Sequence, residues 1–365
     1  MRNSLGNRLF LVITVVLVLV VQAAFVGVAM AAAPVKELKW AVFVPENDYM
    51  APPLKQFRDD VEKLTNGAVK IRIYWPGQLA EVKEMVDVVK TGSVDMSTTA
   101  PTYYPSMFPL NVSLQSFPML LSSPEQATYV WRGLFRDIPE IQKEFTAQNQ
   151  MCLNRATLAP YLTLSKKPYR TAADLKGQKV RSIPGKYFST IMQQAGAVPS
   201  LNPIAEVYEG LMRGTLDSVI LNVQVFDALK FYETAKYVSL NAGCIVGFWI
   251  SINQDTFNSF TPQVRDAFKK AAFNWGVTVF DLVKSTQDSS IRNLKQKGVQ
   301  FVEFNQKEWE GMIAKAGDPW AALRDYLVSD LKVETGLADR FVKRWKELVQ
   351  EYDKKYPAGK AWKYE

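Results

Sequence analysis

Twice along this chain, a strand-like stretch is followed by an amphipathic helix, a second strand, another helix, and a glycine that leads into a third strand. Residues 38–44 read as a strand, Leu54, Phe57, Val61 and Leu64 mark one face of a helix, and Asn66-Gly67 supplies its stop. Val69, Ile71 and Ile73 alternate with Lys70, Arg72 and Tyr74 as in a half-buried strand, which Pro76-Gly77 ends. Residues 81–91 read as a helix stopped by Gly92, and a strand follows at about 94–98. The middle of the chain repeats this plan with strand 179–183, helix 186–195, Gly196, strand 198–201, helix 204–213 and a strand from about Asp217. The two units end alike, in Lys90-Thr91-Gly92-Ser93-Val94-Asp95 and Met212-Arg213-Gly214-Thr215-Leu216-Asp217. Strands separated by helices become parallel neighbours under covering helices, so two α/β lobes of similar plan are expected.

Val264, Phe268, Ala271, Trp275, Val279 and Leu282 carry one apolar face along residues 262–297, closed by Gly298. Unbroken, such a helix spans roughly 50 Å and bridges both lobes; the polar run 284–290 is the alternative place for a break. Helices at 306–316, 319–328 and 338–355 give a helical C-terminus.

The N-terminus reads as an export signal. Arg2 and Arg8 precede an apolar stretch over 9–28, and Ala29-Met30-Ala31 has the small-x-small cleavage pattern. Cleavage near Ala31 would leave a periplasmic protein; retention as an anchor is the alternative, because a membrane span needs about 20 apolar residues. Without Arg2 and Arg8 the chain has 42 basic and 36 acidic residues, a net charge of +6. The basic residues are scattered, which argues against nucleic acid; a mild positive field suits an anionic small molecule, or solubility alone.

The chain has no histidine, which removes the Ser-His-Asp triad, the Cys-His dyad and imidazole metal sites. Cys152 and Cys244 are either two buried thiols or one bridge. There is no phosphate loop, no GxGxxG and no CxxC, and nothing singles out two of the carboxylates. No enzyme constellation emerges, and no cofactor or metal is expected. Arg181, towards the end of the strand opening the second unit, sits where parallel sheets place ligand groups. There it either caps a strand at the surface or holds a carboxylate through two parallel hydrogen bonds.

The sequence resembles the solute-binding proteins of tripartite ATP-independent periplasmic (TRAP) transporters, of the DctP-like kind. The resemblance is carried in order by residues 57–67, by Tyr74-Trp75-Pro76-Gly77-Gln78-Leu79, and by Val89 to Met96. It continues through Lys167-Pro168, Asp174 to Arg181, Glu206-Val207-Tyr208 and Gly214-Thr215-Leu216-Asp217. It implies a two-lobed periplasmic-binding-protein fold, each lobe a mainly parallel sheet flanked by helices. On that plan lobe I comprises 34–157 with about 243–280, and lobe II 158–242 with about 281–365, the long helix being shared. It also implies a protein that is no enzyme, closes by a hinge around an organic acid, and delivers it to the membrane subunits of an ion-gradient-driven permease. An ABC-importer binding protein and a ligand-sensing partner of a membrane receptor are the alternatives.

The family's signature arginine maps onto Arg181. Asn222 falls one place beyond the family's ligand asparagine, and either contacts the ligand or caps a turn. Some relatives carry a second ligand arginine some twenty residues before the first. Here that place reads Ala159-Pro160-Tyr161-Leu162, and Arg155 and Arg170 are off the spacing, which disfavours a second anionic group on the ligand. Glu81 lies where the family often has an acid facing the cleft. Tyr103 and Tyr104 are expected on the wall opposite Arg181, and Phe226, Phe248 and Trp249 come from segments that approach the cleft in relatives. An aromatic-lined pocket for a monocarboxylate is the resulting expectation.

Overall fold

The alternation seen in sequence becomes one-sided burial in space. In β1 (Lys36–Val42) Leu38 and Trp40 are buried, and in β2 (Val69–Tyr74) Val69 and Ile71 are buried between exposed Lys70 and Arg72. Both strands cover α1 (Ala51–Leu64) through its Leu54, Phe57 and Val61 face. That helix ends with Asn66 and Gly67 at φ of 51° and 77°, and Gly67 N–H bonds the Glu62 carbonyl at 2.8 Å. These elements belong to a computed structural model that describes residues 35–117, 119–182 and 186–357; the export-signal reading lies outside them.

The remaining strands are β3 (Met96–Thr99), β4 (Gln150–Thr157), β5 (Tyr161–Ser165), β6 (Lys179–Arg181) and β7 (Val198–Ser200). They continue with β8 (Ser218–Leu221), β9 (Tyr237–Cys244), β10 (Gly247–Asn253) and β11 (Gln300–Val302). The first sheet has the order β2-β1-β3-β10-β4 and the second β11-β9-β5-β8-β6-β7. The βαβ units read from sequence form the parallel parts β2-β1-β3 and β8-β6-β7, and β11 also pairs parallel with β9 at the second sheet's edge. The antiparallel parts come from strands that cross between sheets: β10 against β3 and β4, and β5 against β8 and β9. Each sheet is therefore mixed.

The crossings define the hinge. The chain leaves the first sheet between β4 and β5 and returns between β9 and β10. The two connections lie side by side, with Leu158 N–H on the Val246 carbonyl at 2.9 Å. Two adjacent strands of this kind can swivel without breaking either sheet.

Helices α2 (Met85–Lys90), α3 (Pro109–Ser113), α4 (Pro124–Asp137) and α5 (Glu140–Thr146) cover the first sheet's other elements. The second half of the chain adds α6 (Lys186–Gln194), α7 (Val207–Arg213), α8 (Val223–Ala228), α9 (Gln254–Asn258) and α10 (Pro262–Gln296). The 35 residues of α10 run unbroken. In the polar run, Ser285, Thr286 and Ser289 turn their hydroxyls back onto the carbonyls of Asp281, Leu282 and Thr286, so these side chains find partners within the helix and the run does not end it. The helix packs against α1 and β4 of the first lobe and α8 of the second. Asn154 donates to the Ala272 carbonyl at 2.6 Å and Gln224 to the Val283 carbonyl at 3.2 Å, one tie from each lobe.

At the C-terminus, α11 (Gln306–Ala316) is followed by α12 (Pro319–Asp325), a π-helical turn over Tyr326–Asp330, and α13 (Thr335–Lys355). Although grouped with the second lobe from sequence, α13 lies on α4 of the first, where Arg344 and Asp137 pair at 2.8 Å. No disulfide joins Cys152 to Cys244. Among the described residues, no helix is long and apolar enough to cross a membrane.

Candidate functional site

Strand β6 lies between β8 and β7, and its last residue lines a cavity whose wall includes residues of both lobes. That residue is Arg181, only 5% exposed. Its Nε donates to the Asn202 carbonyl at 3.2 Å and Nη1 to the Ile220 carbonyl at 3.4 Å. No carboxylate of the described residues pairs with it. A buried guanidinium with neutral partners alone is costly, and an incoming anion offsets that cost.

The cavity in front of Arg181 has about 50 Å³ available to water-sized groups. Its second-lobe wall is Tyr161, Leu201, Ile204 and Leu221; the facing wall is Phe43, Ala100, Thr102, Tyr103 and Phe248. Leu158, Val246 and Gly247 of the hinge close its back. Phe43 meets Tyr103 and Phe248 edge-on, with ring centroids 6.2 and 5.7 Å apart, so this wall is a rigid aromatic surface. Gln115 also lines the cavity: its Oε1 accepts from Gly247 N–H at 3.2 Å, while its amide Nε2 is buried without a partner. A cation and a spare amide donor against apolar rings suit a small anion with an apolar or planar body.

Residues 41–324 match the model of the family described as bacterial extracellular solute-binding protein, family 7 (DctP). The chain belongs to this family. It is 24% identical over 297 residues to the 2,3-diketo-L-gulonate-binding periplasmic protein YiaO of Escherichia coli, covering 81% of this chain and 88% of that one. Among solved structures it resembles DctP7 of Bordetella pertussis, an extracytoplasmic solute receptor binding pyroglutamic acid, at TM-score 0.74 and 20% identity, covering 85% and 99% of the two chains. It also resembles a TRAP periplasmic solute-binding protein of Desulfovibrio salexigens with bound orotic acid, at TM-score 0.76 and 19% identity, covering 86% and 99%. The two-lobed fold is thus that of TRAP extracytoplasmic solute receptors.

In this family 7 protein the eight residues singled out from sequence separate. Arg181 lines one cavity from the second lobe, and Tyr103 and Phe248 line it from the first. Asn222 is fully buried as the N-cap of α8, accepting from Val225 N–H at 3.1 Å and donating to the Tyr49 hydroxyl at 3.2 Å. Tyr104 turns away from the cavity, and its hydroxyl donates to the Val82 carbonyl. Trp249 is sealed in the core, with Phe108 and Phe145 centroids each 4.8 Å away. Phe226 is fully buried among core side chains. Glu81 is exposed on the turn before α2, where its N–H bonds Glu84 at 3.1 Å. For Tyr104, Trp249 and Phe226 the cause is packing: a large ring gains more from full burial than from lining a wet cleft. Glu81 stays out because an ionised carboxylate is cheapest in water.

Sequence reading passed over a buried polar group beside Asn222. Asp48 is 3% exposed, and burial pushes its carboxyl up to about 7, against the lowering hydrogen bond from Met50 N–H. Burial and the Asp48 charge raise the Tyr49 hydroxyl, which the Asn222 bond opposes. Burial likewise raises Tyr161, against the pull of the Arg181 charge. Asp48 is normally ionised above about pH 4 when unfolded, so the fold takes up a proton that the unfolded chain has lost. Its contribution is complete below pH 4 and lost as pH rises through 7, up to roughly 4 kcal/mol for three pKa units. Burial pushes Glu144 up to about 7 as well, which adds in the same direction. Urea midpoints are therefore expected to fall from pH 5 to pH 8, less steeply in Asp48→Asn. Parallel pH profiles for the two proteins would remove Asp48 from this account.

Proposed function

We propose that this family 7 protein captures a small organic monocarboxylate in the cleft between its lobes and delivers it to the membrane subunits of an ion-gradient-driven TRAP permease. Its place of work is the periplasm, after removal of the leader near Ala31. Arg181 grips the carboxylate, Tyr103 and the 99–104 loop cover it from the other lobe, and Gln115 donates a further hydrogen bond. Asn222 acts through Tyr49. The observation that carries this reading is the Arg181 guanidinium, buried at a cavity wall with only carbonyl partners among the described residues. The relatives support the size and chemistry: 2,3-diketo-L-gulonate, pyroglutamic acid and orotic acid are compact acids with one carboxyl group.

The test is a thermal-shift screen of the chain from Ala32 onward against organic acids, with aromatic and aliphatic series. A ligand that binds only the folded state adds about 2.7 kcal/mol at a hundredfold excess over Kd. One chemical series is expected to raise the melting temperature of the parent and not of Arg181→Ala. Silence across the panel, from protein shown to be free of co-purified ligand, would overturn the carboxylate assignment.

A further inference from the structure

On the first lobe, outside the cleft, a second buried arginine is left incompletely partnered. Strand β4 is the edge of its sheet, and between it and α4 lies a cavity of about 320 Å³. Arg155 of β4, which sequence reading set aside as off the ligand spacing, lines it and is 9% exposed. Rings cover the guanidinium: the centroids of Trp131 and Phe135 each lie 5.3 Å from its central carbon. Nη1 donates to Asn111 Oδ1. Nε and Nη2, the adjacent pair of donors along one edge, have no partner, and neither has the indole N–H of Trp131.

Neighbouring acids do not fill this edge. Glu144 accepts from Leu110 N–H, Asn111 N–H and the Asn111 amide at 2.6, 3.1 and 2.6 Å, so its oxygens are engaged elsewhere. Asp137 is held by Arg136, at 2.7 and 2.9 Å, and by Arg344. The cavity wall adds two more cationic side chains, Arg132 and Arg136. Burial pulls Arg155 down to about 10, which still leaves it charged at neutral pH.

The Nε and Nη2 edge of a guanidinium matches two oxygens of a carboxylate or phosphate. With its other donor fixed by Asn111 and rings against its plane, Arg155 is already oriented for that pairing. We propose that this cavity is a second anion site, distinct from the cleft, which takes a small oxyanion on the Nε and Nη2 edge of Arg155. The unpartnered edge lies out of reach of bulk water, so a bound anion is desolvated there and the pairing is strong. Nε and Nη2 are both closed to water-sized groups, so an anion reaches them only when the side chains packed over that edge move aside.

Calorimetric titration tests this with inorganic phosphate and with acetate, each at constant ionic strength, on the parent, Arg181→Gln and Arg155→Gln. At least one anion is expected to bind the parent and Arg181→Gln alike, and Arg155→Gln roughly tenfold or more weakly. Phosphate alone or acetate alone would support the site and name its chemistry. Crystals soaked in selenate give a readout that needs no variant: the anomalous peak is expected beside Nε and Nη2 of Arg155. Unchanged affinity in Arg155→Gln, loss of binding in Arg181→Gln, or a selenate peak only elsewhere would overturn the proposal.

Discussion

Arg181→Ala is expected to weaken binding of the cognate carboxylate by roughly thirtyfold or more, because removing one partner of a desolvated charge pair costs about 2–5 kcal/mol. The loss is expected in affinity and not in folding. In the free protein the guanidinium is buried against two carbonyls and, among the described residues, no counter-charge. Its removal relieves a desolvation cost, and the cavity beside it lets water reach the Asn202 and Ile220 carbonyls. The unliganded variant should therefore melt no lower than its parent. Arg181→Lys keeps the charge but loses the planar fork, and should fall between the two. Titration calorimetry with the acid found by the screen, beside thermal melts of the unliganded proteins, separates these effects. A variant that bound within threefold of the parent would place the anchor elsewhere.

Gly247→Ala is expected to cost more than about 3 kcal/mol of stability, or to prevent folding. Gly247 opens β10 just past the hinge and pairs with Thr157 of β4. A Cβ there would overlap the carbonyl oxygen of Ala156 and lie 2.7 Å from Cζ3 of Trp131. The Ala156 oxygen belongs to the neighbouring strand, so relief requires β4 and β10 to part beside the hinge. Gly133 gives the contrast. A Cβ on it would crowd Leu348 Cδ1 at 2.8 Å, but that side chain has other rotamers, and Gly133→Ala should be milder. Urea midpoints rank the two. A Gly247→Ala protein within about 0.5 kcal/mol of the parent, the range of ordinary surface changes, would contradict the strand spacing described here.

The parallel units were legible because each leaves a local mark: period-two burial in β1 and β2, an apolar face on α1, a glycine stop after it. The crossing strands leave none. All seven residues of β10 are buried, so its sequence shows no alternation from which to recognise a half-exposed strand. The site divides in the same way. Arg181 was readable from its place at the end of a strand. Gln115 and Tyr161 were not, since segments far apart in the chain bring them to the cleft and no spacing records it. The aromatics show the limit most sharply. Phe248 and Trp249 are adjacent on β10, yet Phe248 lines the cavity and Trp249 is sealed against Phe108 and Phe145. Composition cannot tell such neighbours apart; only strand register, which sends successive side chains to opposite faces, does so.

The unbroken α10 bears on how the cleft opens again. A hinge of two strands alone would let the lobes swing with little resistance. Here a single rod is fastened to one lobe at the Ala272 carbonyl and to the other at the Val283 carbonyl, about three turns further on. Any swing must carry that rod along or slide it on its seats. Opening and closing are therefore not free motions of two strands: α10 restricts the path along which the lobes can part.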